Sequence, residues 1–186
     1  MTDKQEHCGD LPMCMQRREV LVAGAVGAAA AVVAPRMAMA ARNGGAEEYP
    51  RLPVIKLSEL KEGEPVAFNY PQEEQPNMIV KLGVPAQGGI GPDKDIVAFS
   101  VLCTHMGGTL RGRYKHEFKS MGPCPFHLST FDLTKGGAPV HASATQNLPQ
   151  VELVDEGGQA VAVAMQGLVY GYRDNLEDGT PVVSKG

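Results

Sequence analysis

Two short motifs constrain this chain more than any other feature: Cys103-Thr104-His105, and Cys124-Pro125-Phe126-His127 after a further eighteen residues. Each supplies one soft thiolate and one imidazole. Two Cys and two His can fill a tetrahedral zinc site, but zinc fingers usually pair like with like, C-x2-4-C followed by H-x3-5-H. Here each half is mixed, and both halves lie in Gly- and Pro-bearing stretches, Met106-Gly107-Gly108 after the first pair and Gly122-Pro123 before the second. The division suits a group with two unlike centres. A [2Fe–2S] cluster with two Cys on one iron and two His on the other is such a group.

The pattern C-x-H followed by C-P-x-H resembles the Rieske iron–sulfur signature. The resemblance implies that Cys103 and Cys124 hold a buried ferric iron, and that His105 and His127 hold the iron that changes valence. Around them, Gly107 and Gly108 let backbone N–H groups come close to the cluster, and Pro123 and Pro125 stiffen the second loop. Ser129 matches the place where many Rieske proteins put a hydroxyl that donates to a cluster sulfur, an outer-shell bond that tunes the metal. Gly136-Gly137-Ala138-Pro139 looks like the proline-bearing third loop that covers the cluster, with Gly137 replacing a proline and loosening it. With four ligands already supplied, His141 and His116 are read as surface residues.

Two departures from the respiratory cytochrome bc-type pattern carry information. Those proteins place cysteines at the positions of Gly108 and Phe126, where they form a disulfide between the ligand loops. They also place a Tyr at the position of Phe131, which packs but has no hydroxyl to donate. One hydroxyl kept and one lost puts the expected potential below the top of the Rieske range, roughly −150 to +300 mV.

The first forty residues have a different character. Arg17-Arg18 precedes an apolar run from Val20 to Ala34, and Ala38-Met39-Ala40 offers a small-residue cleavage site. Residues 1–40 therefore read as a twin-arginine export signal and 41–186 as the Rieske domain. The run is shorter than the roughly twenty residues of a membrane span, so a membrane is expected only if the signal is retained as an anchor. Of the four cysteines, Cys8 and Cys14 fall in this leader, which leaves no thiol outside the cluster for a disulfide in the mature chain. The net charge is −4, and removal of 1–40 takes four basic and four acidic residues and leaves it unchanged. No basic stripe suggests nucleic acid.

From Tyr49 onward, short apolar-alternating segments are separated by Gly and Pro, and no long amphipathic helix is evident. Expected strands are Val54–Leu57, Pro65–Tyr70, Met78–Val84, Ile96–Leu102, Ser129–Leu133, Val151–Val154, Ala160–Gln166 and Leu168–Tyr172. The fold class is all-β, an antiparallel sandwich or barrel with the ligand loops as a subdomain at one end. Nothing else in the chain looks catalytic, so the domain is a relay and substrate chemistry belongs to a partner. A twin-arginine leader, no disulfide, Ser129 kept and Phe131 in place of Tyr together look like the small Rieske subunit of arsenite oxidase. That resemblance implies a periplasmic location, a molybdopterin-containing large subunit, and a cytochrome c or small copper protein as acceptor. A cytochrome bc-type Rieske subunit and a stand-alone ferredoxin-like carrier are the alternatives.

Overall fold

The computed structural model describes residues 48–176 and 179–182. The expected export signal, its cleavage site, Cys8 and Cys14 lie outside the described residues. Ten strands follow in order: β1 Leu52–Lys56, β2 Val66–Asn69, β3 Pro76–Lys81, β4 Ile96–Ser100, β5 Tyr114–Lys115, β6 Ser120–Met121, β7 Thr130–Asp132, β8 Ala138–His141, β9 Gln150–Glu156 and β10 Gln159–Gln166. All ladders between them are antiparallel. They form a six-stranded sheet in the order β1-β10-β9-β4-β3-β2 and a four-stranded sheet in the order β5-β6-β7-β8. Among the described residues, helix is limited to three short 3-10 turns.

The large sheet follows from alternation. Successive side chains of a strand point to opposite faces, and in β4 both faces are covered. Val97 and Phe99 enter one apolar cluster with Met78 and Val80 of β3, while Ile96 and Ala98 enter a second with Ile79, Val151 and Ala162. All five residues of β4 are buried. Full burial of a Val, Ile or Phe contributes roughly 1.5–3 kcal/mol, so β3 and β4 anchor the molecule. The first of these clusters reaches the small sheet through Met121, Phe131 and Leu133, and it contains Cys103 and Cys124. β4 thus delivers the chain, through Val101 and Leu102, straight to the first motif.

The structure departs from two expected elements. Leu168–Tyr172 is not a strand; it is a turn after β10, in which Val169 N–H donates to Asn175 Oδ1 at 2.9 Å. The segment expected as a proline-bearing loop becomes strand β8 from Ala138 onward, with Pro139 opposite Phe131. Gly137 explains why. Its φ is +71°, and a Cβ there would lie 3.0 Å from both Leu148 and Phe99. Proline, fixed near −65°, cannot adopt that turn. Gly137 is therefore a close-packed corner rather than a source of looseness.

Candidate metal centre

The two motifs fold into two loops with one closure. In the first, Cys103 N–H donates to Gly108 C=O at 2.9 Å and Gly107 N–H donates to Cys103 C=O at 2.8 Å. In the second, Cys124 N–H donates to Ser129 C=O at 2.9 Å and Leu128 N–H donates to Cys124 C=O at 3.0 Å. Each cysteine is thus bonded to the fourth and fifth residues after it. The fourth position is left-handed in both loops, φ +67° at Gly107 and +64° at Leu128. Glycine takes this conformation freely, whereas a leucine there costs about 1–2 kcal/mol. Neither Gly107 nor Leu128 stands out from sequence as a matched pair, because only the backbone reveals the equivalence.

The loops bring the four candidate ligands together in two pairs, Cys103 with Cys124 and His105 with His127. Both cysteines are buried in the core cluster, while His127 is exposed and His105 partly so. His105 Nδ1 and His127 Nδ1 are 3.1 Å apart, with the rings edge-on at a centroid distance of 4.7 Å. Burial pushes the Cys103 thiol up; N–H groups of His105 and Met106 oppose that, and the adjacent Cys124 thiol adds to it. One pair is of buried sulfurs, the other of imidazole nitrogens with more access to solvent.

This donor set fits a metal group. Two imidazole nitrogens that share one ion at about 2.0–2.1 Å each must lie about 3 Å apart, and the Nδ1 pair meets that condition. Two adjacent thiols buried in an apolar core are poor company unless a cation takes their protons' place, which couples loading to proton release. Sulfur paired with sulfur and nitrogen paired with nitrogen suits two unlike irons.

Gly108 is where the loops touch: a Cβ there would sit 2.6 Å from Cys124 Sγ and 3.1 Å from the Phe126 ring. Packing of Phe126 over Gly108 joins the loops where a disulfide would otherwise stand. Ser129 is fully buried and its Oγ accepts from Ala144 N–H at 3.1 Å, leaving its proton free to be donated. Phe131 is fully buried in the cluster that holds both cysteines. Pro139 is half-buried on β8. His141 ends β8 and is exposed, and His116 bonds to Tyr114 at 3.1 Å and faces Glu62 at 3.3 Å.

Three residues near the centre had no sequence signal. Ala144 and Gln146 belong to the segment after β8. Gln146 C=O accepts from Thr104 Oγ1 at 2.9 Å, so this segment touches both ligand loops. Tyr170, in the turn after β10, lays its ring where a Gly107 Cβ would be, at 2.6 Å. Met106, Phe126 and Leu128 are exposed on the ligand loops themselves, an apolar rim beside the histidines.

A family model described as "Rieske [2Fe-2S] domain" matches residues 51–152. The chain is 46% identical to iodate reductase subunit IdrB of Denitromonas iodatirespirans, covering 93% of this chain and 92% of that one. It is 47% identical to iodate reductase subunit IdrB of Pseudomonas sp. (strain SCT), covering 95% and 91%. The soluble domain of Rieske protein II (soxF) from Sulfolobus acidocaldarius superposes with a TM-score of 0.61 at 23% identity, over 74% of this chain and 88% of that one. The donor geometry and these similarities lead to one conclusion: the chain belongs to the Rieske [2Fe-2S] family and carries a cluster of that type.

Proposed function

We propose that this chain is the electron-transfer subunit of a periplasmic oxidoreductase, of the iodate reductase kind, with a molybdopterin-containing large subunit as its partner. The observation that carries the reading is similarity to iodate reductase subunits along nearly the whole chain rather than in the cluster motifs alone. A cluster bound by Cys103, His105, Cys124 and His127 supplies one-electron storage. The chain's own residues do the rest. The buried cysteines keep water from the sulfur side, the packed core limits rearrangement, and the exposed His127 brings the centre to the surface where a partner can reach it. Met106, Phe126 and Leu128 give that surface an apolar rim from which water is readily displaced.

In this reading a cytochrome c or small copper protein donates the electrons and the large subunit spends them on iodate. The second reading, arsenite oxidase, is favoured by Ser129 with Phe131 and by the absent inter-loop disulfide. It runs the same relay outward, from arsenite at the large subunit to a cytochrome c or copper protein. Purification of the native complex and assay of both reactions separates the two. Iodate-dependent reoxidation of the reduced complex, without arsenite-dependent reduction of added cytochrome c, is expected. Arsenite oxidation without iodate turnover selects the second reading, and neither activity in a complex that contains molybdenum removes both. Replacement of Arg17 and Arg18 by Lys should leave folded, cluster-bearing protein in the cytoplasm; undisturbed export overturns the periplasmic assignment.

A further inference from the structure

Arg113 holds the second ligand loop by both its main chain and its side chain. Its C=O accepts from Gly122 N–H at 2.9 Å, and its Nη1 donates to Pro123 C=O at 3.1 Å. Its own N–H donates to Leu110 C=O at 3.0 Å, and Leu110 N–H returns to Val101 C=O at 2.7 Å. Arg113 therefore ties the exit of the first ligand loop to the entry of the second. The peptide unit between Pro123 and Cys124 is fixed at both ends, with its C=O on Arg113 and its N–H on Ser129 C=O. That peptide sets the direction in which Cys124 presents its sulfur.

No carboxylate among the described residues neutralises the charge of this side chain. Among the described residues Arg113 takes part in no ion pair, and it is only partly exposed. A fixed cation beside a metal ligand favours whichever state carries more negative charge, and net charge and hydrogen bonding are among the factors that set cluster potentials.

We propose that Arg113 is a positioning residue for the cluster, which aims Cys124 through the Pro123 carbonyl and raises the reduction potential through its unpaired charge. The proposal concerns the cluster alone and stands whichever reaction the partner performs. Arg113 is silent in the sequence, because it lies outside both motifs and looks like one member of a basic stretch with Arg111 and Lys115.

The test is a reductive titration of three purified, full-length variants, Arg113→Gln, Arg113→Lys and Arg111→Gln, beside the native chain. Arg111 is exposed, and among the described residues its one hydrogen bond is made by its backbone N–H, which donates to Thr109 Oγ1 at 3.4 Å. Arg111→Gln therefore repeats the charge change without the loop contact. Arg113→Gln should lower the reduced-to-oxidised ratio at a fixed potential three- to tenfold, tenfold being about 59 mV for a one-electron couple. Arg113→Lys should keep most of the native ratio, and Arg111→Gln should stay within twofold of it. An unchanged potential in Arg113→Gln with a full cluster overturns the proposal, as does an equal shift in Arg111→Gln. If Arg113→Gln fails to retain the cluster, Arg113→Lys decides. A loaded Arg113→Lys at the native potential supports the charge role; loss of the cluster there too reduces Arg113 to a folding residue and overturns it.

Discussion

The two sheets hold together by different means. In the six-stranded sheet, β9 and β10 are seven and eight residues long, and β3 and β4 bury apolar side chains on both faces. In the four-stranded sheet, β5 and β6 are two residues each and β7 is three. Strands that short cannot specify their own register. Their arrangement depends on Met121, Phe131 and Leu133 reaching the shared core, and on the loops that carry the four candidate ligands. The large sheet is a scaffold fixed by apolar burial; the small one is a frame completed by a metal group.

That contrast can be broken most severely at a ligand. Cys124→Ser should abolish cluster binding, since a hydroxyl replaces the soft thiolate that iron–sulfur centres need. Proteolysis within residues 103–141 should accelerate sharply while β3, β4, β9 and β10 keep their hydrogen-exchange protection. Chelation of iron from the native chain should reproduce the pattern. Equal loss of protection in both sheets would show that the scaffold is not independent.

Phe99→Ala acts on the opposite side of the comparison. Phe99 is fully buried at the junction of the two sheets, and removal of a core phenylalanine costs about 3–5 kcal/mol. Denaturant unfolding of the loaded protein should show both sheets weakened together. A loss confined to the small sheet would deny β4 its central place.

Gly108→Ala is a smaller insult placed between the loops. Its Cβ would lie 2.6 Å from Cys124 Sγ and 3.1 Å from Phe126, an overpacking of about 1–3 kcal/mol. Iron content after reconstitution should fall while the large sheet melts as before. Full loading at native stability would mean that the loops part more easily than their packing suggests.

Ser129 and Phe131 sharpen the comparison without breaking it. Ser129→Ala removes a hydroxyl free to donate and leaves Ala144 N–H without its acceptor, so it should lower both stability, by about 1–3 kcal/mol, and potential. Phe131→Tyr should raise the potential by restoring a donor beside the cysteines. A charge-assisted hydrogen bond contributes roughly 1.5–3 kcal/mol, and 59 mV corresponds to about 1.4 kcal/mol for one electron. If part of that energy differs between oxidation states, each change should amount to several tens of millivolts by voltammetry. Unchanged potentials with intact clusters would reduce both residues to packing.

The same contrast explains what was legible in the sequence. Strands of the large sheet announce themselves because alternation and burial act locally along Ile96 to Ser100 and Ala160 to Gln166. The four candidate ligands stood out as candidates because thiolates and imidazoles at fixed spacing have few other uses. The small sheet was not, beyond the stretch around Phe131: Tyr114–Lys115 and Ser120–Met121 are too short for any period. Pro139 suggested a loop by resemblance, yet the positive φ of Gly137 and the space beside Phe99 turn that segment into β8. Ala144, Gln146 and Tyr170 escaped notice, and Arg113 registered only as one of the basic residues near the first loop, for a common reason. Each acts through a backbone bond or a close approach made by tertiary folding, and none carries a residue type that betrays it.

The central claim is that four residues from two matched loops hold a [2Fe–2S] cluster, two cysteines on one iron and two histidines on the other. Analysis of iron, zinc and acid-labile sulfide in the purified full-length chain, with electron paramagnetic resonance of the reduced form, tests it most directly. The account predicts two irons and two sulfides per chain, with a Rieske-type signal that His127→Cys shifts and Ser129→Ala leaves in place. Stoichiometric zinc without labile sulfide, bound by the same four residues, would contradict it.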